Sequence, residues 1–292
     1  MENGKAKVTV DEIISTKKKR KITMLTAYDY TTATICDDAG IDVLLVGDSA
    51  GMVMLGYQTT TPVTMDEMLL FCKAVSRGTR RAMVVADMPF MSYQVDATTA
   101  VRNACRFVKE AGVDAVKIEG GEEMVETVKA IIRAGVPVMG HIGLKPQTAM
   151  LWQGYKVQGK NKEAALQLIR DARTLEKAGV YCIILEQVVV EVAKIITDMV
   201  NVPTVGIGAG NVCDGQVLVI HDMLGLYDRI KPKFVTRYAE LSQEMIKALT
   251  SFKDDVISEK FPGEENTFYM EKNELDALMK ELGEIKNERA SI

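Results

Sequence analysis

Short apolar runs alternate with longer amphipathic ones along most of the chain. ITMLTAYD, VLLVGD, MVVADMPF, AVKIEG, VPVMGHIG, YCIILEQ, VPTVGIGAG and GQVLVIHD are rich in Val, Ile and Leu and stop abruptly at Gly or a charged residue. Such runs fit strands of a parallel sheet buried on both faces. Between them lie helical patterns: TTATICDDAG, closed by Gly40; MDEMLLFCKAVSRG, opened by the capping box Thr64 and Glu67; TTAVRNACRFVKEAG; EEMVETVKAIIRAG; KEAALQLIRDARTLEKAG; and VVVEVAKIITDMV. Eight strands alternating with helices over about 230 residues predict an α/β fold, a single (β/α)8 TIM barrel. A doubly wound open sheet shares the alternation. The barrel is preferred because ionisable residues end five or more different strands rather than lining one crevice.

The domain reading follows: 1–20 as an N-terminal segment whose helix VTVDEIISTKK lies across one end, 21–262 as the barrel, and 263–292 as a charged helical tail. The stretch FVTRYAELSQEMIKALTSF is expected to close the ring of helices. In the tail Leu275, Leu278, Met279, Leu282 and Ile285 have helical spacing, suited to docking on a neighbour or to fraying. Two segments break the rhythm. GMVMLGYQTTTPVT is a long Gly-rich loop, and residues 145–161, KPQTAMLWQGYKVQGKN, carry the single Trp. The second reads as a loop covering a substrate, with an oligomer contact as the other reading.

Composition narrows the function classes. At 292 residues, 47% hydrophobic and 26% charged, the chain can bury a full core. Its net charge of −4 gives no reason to expect nucleic acid. Five scattered cysteines without a CxxC pair read as buried thiols in a reducing cytosol. The N-terminus lacks a signal-peptide core and no apolar run reaches spanning length, so a cytoplasmic protein without a membrane partner is expected.

Chemistry concentrates at the strand ends. Asp48 and Ser49 follow VLLVG, Asp87 ends MVVAD, Lys117 and Glu119 share AVKIEG, His141 lies in PVMGHIG, and Glu186 ends CIILE. Each acid alone could cap the next helix or pair with a lysine. Three at equivalent addresses, Asp48, Asp87 and Glu119, are costly to assemble without a cation and suit Mg²⁺. Lys117 lies two residues before Glu119, on the same strand face, and suits a substrate carboxylate or the acids themselves. Glu186 ends an otherwise apolar strand, so desolvation should raise its pKa and make it a candidate general base, against a purely structural role. His141, flanked by Gly140 and Gly143, has a hydrogen-bonded core histidine as its other reading, but it shares the strand-end address of the acids. VGIGAGN reads as a tight turn shaping a pocket wall rather than a nucleotide site.

Taken together, LLVGDSAGMVMLGY, VVADMPF, VKIEGG, GHIGLKPQ, GYKVQGK, VGIGAGNVCDGQVLVIHD, KPKFVTRYAE and FPGEE closely resemble the ketopantoate hydroxymethyltransferase family, from about Ile22 to Phe268. The resemblance implies transfer of a hydroxymethyl group from 5,10-methylenetetrahydrofolate to 3-methyl-2-oxobutanoate, giving 2-dehydropantoate for pantothenate biosynthesis. It implies Mg²⁺ on Asp48, Asp87 and Glu119; oxo-acid binding by Asp48, Ser49, Asp87 and Lys117; Glu186 as proton acceptor; and a homodecamer. His141 and the 145–161 segment would shape the folate side. Departures from the family pattern are Lys145, Gln153 and Asn266. The alternatives are a folate-independent, Mg²⁺-dependent 2-oxo-acid lyase or aldolase on the same barrel, and a non-catalytic oligomeric scaffold.

Overall fold

Eight parallel strands pair in chain order, and the last returns to the first to close a barrel. A computed structural model describes residues 6–152, 156–229 and 232–290. The strands are β1 (Ile22–Thr26), β2 (Val43–Val46), β3 (Met83–Asp87), β4 (Ala115–Glu119), β5 (Val138–Gly143), β6 (Cys182–Glu186), β7 (Thr204–Ile207) and β8 (Gly215–Leu218). The helices are α1 (Val10–Ser15), α2 (Tyr30–Asp38), α3 (Ala50–Val53), α4 (Met65–Gly78), α5 (Ala97–Ala111), α6 (Val125–Arg133), α7 (Pro146–Trp152), α8 (Lys162–Ala178), α9 (Val190–Met199), α10 (Ile220–Met223), α11 (Leu241–Ile257) and α12 (Lys272–Ala290). The (β/α)8 reading of the sequence therefore holds.

Alternation along each strand splits the core in two. Met24, Val43, Leu45, Val85, Met139, Ile184, Val205 and Val217 fill the barrel interior, while Leu44, Val46, Val84, Val116, Ile118, Ile183 and Leu185 join the cluster with the helices. That is the period-two consequence of burying both faces. The α1 helix plugs the amino-terminal mouth, with Val8 and Ile13 packed into the interior cluster. Acids at this mouth are paired: Lys17 with Asp214 at 2.9 Å, Arg20 with Asp42 at 2.7 Å and Lys7 with Asp114 at 2.8 Å. Thr64 and Glu67 form the expected capping box of α4.

Two expectations are corrected. The interruption at 145–161 is not simply a loop: Pro146, a favoured first helical residue, opens α7. Gln153, Gly154 and Tyr155, and the side chains of Trp152 and Ile285, lie outside what is described. The helix expected from Phe234 begins only at Leu241. Phe234 lines a cleft in the barrel, the Tyr238 amide donates to the Met223 carbonyl at 2.9 Å, and Arg237 pairs with Asp228 at 2.6 Å, which holds this stretch out of a helix. The chain divides after Ala239 into two compact units. No residue of α11 is buried. All five cysteines are free, four of them buried. No described helix is long and apolar enough to cross a membrane.

Candidate active site

A cleft of about 860 Å³ opens among the residues at the carboxyl ends of the strands. Asp48, Ser49, Asp87, Lys117, Glu119, His141 and Glu186 all line it, so every residue singled out in the sequence converges on one place. Register explains the convergence. Asp87 pairs with Lys117 across β3 and β4, Glu119 with His141 across β4 and β5, and Gly143 with Glu186 across β5 and β6. In parallel strands such neighbours point to the same side.

The acids outnumber the cations. Asp48, Asp87, Lys117, Glu119 and His141 are each at most 6% exposed, and four carboxylates, counting Glu186, face a single lysine. Lys117 Nζ lies 3.0 Å from Asp87 Oδ1 and 3.2 Å from His141 Nδ1. Burial opposes the charge of Lys117, but Asp87, Glu119 and Asp48 outweigh it and raise its pKa. Burial and the nearby Asp87 charge push Asp48 up to about 7. Burial and Asp48 push Glu119 well above the carboxylate range. Burial lifts Glu186 to about 7 against the pull of Lys117.

His141 is held neutral, first by burial and then by the Lys117 charge. Because an ammonium only donates, His141 Nδ1 must accept from Lys117, which leaves the ring proton on Nε2. Nε2 lies 3.3 Å from Glu186 Oε2, close but without hydrogen-bond alignment. Nδ1 is 3.6 Å from Glu119 Oε1.

Glycines bring the strand ends together. Gly143 has φ +100°, and a Cβ there would stand 2.3 Å from the Glu186 carbonyl oxygen. Gly208 and Gly210 in VGIGAGN, at φ +65° and +77°, line the cleft with Asn211, as a pocket wall should.

Three residues were not foreseen. Tyr28, at the end of β1, shares a 2.8 Å hydrogen bond with Ser49 Oγ. Its place after an apolar run was the available signal. Gln147, on α7, donates from Nε2 to Asp48 Oδ2 and to the Met88 carbonyl, both at 2.9 Å, and from its backbone N–H to Glu119 Oε2 at 3.2 Å. Its signals were the proline before it and its place at the end of the motif GHIGLKPQ. Tyr93, in the loop after β3, donates to Gln147 Oε1 at 2.8 Å and accepts from the Glu119 amide at 3.0 Å; nothing in the local sequence marks it. Among the described residues no three acid, histidine or cysteine side chains already stand as a metal cage. Gln147 engages one oxygen each of Asp48 and Glu119, and Lys117 engages Asp87.

Fold and site together define a barrel enzyme with its chemistry gathered at the carboxyl ends of the strands. The chain belongs to the ketopantoate hydroxymethyltransferase family, whose model matches residues 7–264. It is 58% identical over 276 residues to 3-methyl-2-oxobutanoate hydroxymethyltransferase of Nitrosopumilus maritimus (strain SCM1), covering 94% of this chain and 99% of that one. To the protein of the same name from Cenarchaeum symbiosum (strain A) it is 56% identical over 262 residues, covering 90% and 99%. Among solved structures it resembles 2,3-dimethylmalate lyase, a member of the PEP mutase/isocitrate lyase superfamily. The TM-score is 0.56 at 14% identity, over 97% of this chain and 98% of that one, a likeness of fold.

Proposed function

We propose that this protein is a 3-methyl-2-oxobutanoate hydroxymethyltransferase, which takes its one-carbon unit from 5,10-methylenetetrahydrofolate and forms 2-dehydropantoate for pantothenate biosynthesis. The observation that carries the reading beyond family membership is the cluster of three buried carboxylates, with the half-buried Glu186, around the buried Lys117 in an otherwise largely apolar cleft. Buried acids in such excess suit a divalent cation and a substrate whose reaction needs a base.

Asp48, just past β2, and Asp87 and Glu119, which end β3 and β4, are hard oxygen donors and fit Mg²⁺. Asp48 and Glu119 each keep one oxygen outside the hydrogen bonds with Gln147. When bound, the cation would neutralise negative charge developing on the oxo acid's keto oxygen. Lys117, with Ser49 held by Tyr28, would fix the substrate carboxylate. Glu186, with a pKa near 7, would take the proton from C3. Water would supply the new hydroxyl oxygen as both C–N bonds of the folate methylene break and tetrahydrofolate leaves; within the cleft the C3 nucleophile would add to that formaldehyde-level carbon, whose oxygen takes up a proton. Neutral His141, its Nε2 beside Glu186, would orient that base.

The rest of the cleft is far larger than a five-carbon acid needs, which supports a second, bulkier substrate. Tyr227, Phe234 and Val157 give that part an apolar lining. We also read the protein as a cytoplasmic homo-oligomer, a homodecamer by family resemblance; its five free thiols and the exposed apolar residues of α11 support this.

Incubating the protein with 3-methyl-2-oxobutanoate and Mg²⁺, with and without methylenetetrahydrofolate, tests the reading. Product should form only with the folate, and C3 deuterium exchange should need only Mg²⁺. Turnover with free formaldehyde and indifference to folate would favour a lyase or aldolase. Absence of both product and exchange would favour a scaffold.

A further inference from the structure

We infer that Gln147 is the positioning residue of the cation site, setting which oxygen of Asp48 and of Glu119 is offered to the metal. The inference rests on the proposed Mg²⁺ site.

Gln147 is 2% exposed, and its amide is fully determined by its neighbours. Nε2 faces two acceptors, Asp48 Oδ2 and the Met88 carbonyl, both at 2.9 Å. Oε1 faces two donors, the Tyr93 hydroxyl at 2.8 Å and Gln94 Nε2 at 3.2 Å. A flipped amide would set Oε1 against two acceptors, Asp48 Oδ2 and the Met88 carbonyl, so the Nε2 end fixes the orientation, and the Tyr93 hydroxyl and Gln94 amide complement it at Oε1. The backbone N–H of the same residue takes Glu119 Oε2 at 3.2 Å.

One residue thus binds one oxygen from each of two acids on different strands. The other oxygen of each, Asp48 Oδ1 and Glu119 Oε1, is left for a cation. A carboxylate that can rotate must first lose that freedom on ligating a metal; here the cost is already met by hydrogen bonds inside a buried network. A residue serving only to anchor α7 would need neither the double contact to Asp48 and Met88 nor a side-chain amide matched on both ends. Gln147 touches the acids rather than the reacting atoms, so it positions and does not catalyse.

The test uses Mn²⁺ as probe on the full-length, substrate-free protein, with free Mn²⁺ followed by electron paramagnetic resonance. Gln147→Met keeps the length of the side chain and removes its polar ends; it should weaken Mn²⁺ binding at least tenfold. Tyr93→Phe removes the hydroxyl that orients the amide and should weaken binding at least threefold. Metal-free thermal midpoints report whether each variant is folded. Binding within twofold of wild type in a folded Gln147→Met protein overturns the inference and leaves the proposed function standing. If that variant does not fold, an unchanged affinity in Tyr93→Phe overturns it. Wild-type protein that binds no Mn²⁺ would remove the metal site and this inference together.

Discussion

Glu186 is the residue on which the proposed chemistry turns. It sits at the end of an apolar strand, lifted by burial to about 7, with neutral His141 beside it. A carboxyl with a raised pKa is protonated, and useless as a base, below that value. Exchange of the C3 proton, followed by NMR with Mg²⁺ present, should therefore rise as pH passes through about 7 and level off above it. Glu186→Gln should slow the exchange by about 10²- to 10⁴-fold and remove this pH dependence while oxo-acid binding persists. Exchange at the wild-type rate would take the base role from Glu186. The desolvation that shifts this residue was legible in CIILE. The contacts of Gln147 were not, because its partner Asp48 is 99 residues away and only barrel closure brings them together.

At the scale of elements, the two mouths of the barrel are built differently. Acids before the strands, such as Asp42, Asp114 and Asp214, each have a basic partner. Acids after them crowd around one lysine, so one end serves stability and the other is left charged for ligands. Local devices were readable where the signal is short-range: the Thr64 and Glu67 box is formed as its spacing predicts. Thr64→Ala should lower stability by about 1 kcal/mol in denaturant unfolding. Gly143 joins local and long-range demands, since its positive φ and the approach of Glu186 both exclude a side chain. Gly143→Ala should cost more than Thr64→Ala in the same unfolding measurement and slow C3 exchange by displacing Glu186; an equal cost with normal exchange would count against that linkage. The start of α11 is not legible locally: the helical pattern runs back to Phe234, whereas the tertiary contacts of Phe234, Arg237 and Tyr238 decide where the helix can begin.

For the whole molecule, α11 carries Met245, Ile246, Leu249, Phe252 and Val256 exposed at 45% or more. Apolar groups in such a concentration on one helix are a liability unless another surface covers them. Under the homo-oligomer reading, Ile246→Glu together with Leu249→Glu should shift sedimentation toward smaller species. An unchanged assembly would place the subunit contacts elsewhere.

The rhythm of the chain and the addresses of its chemistry are written in local residue pattern. Burial on both faces forces apolar strands, and an acid that stops such a strand must lie at its end, so local pattern alone assigns Asp48, Asp87, Glu119 and Glu186 to one rim. Their partners are set by packing across the barrel. Which oxygen meets Lys117, Gln147 or His141 depends on strand register and on α7 reaching across the rim. Those are distances between residues remote in sequence, and no local pattern encodes them.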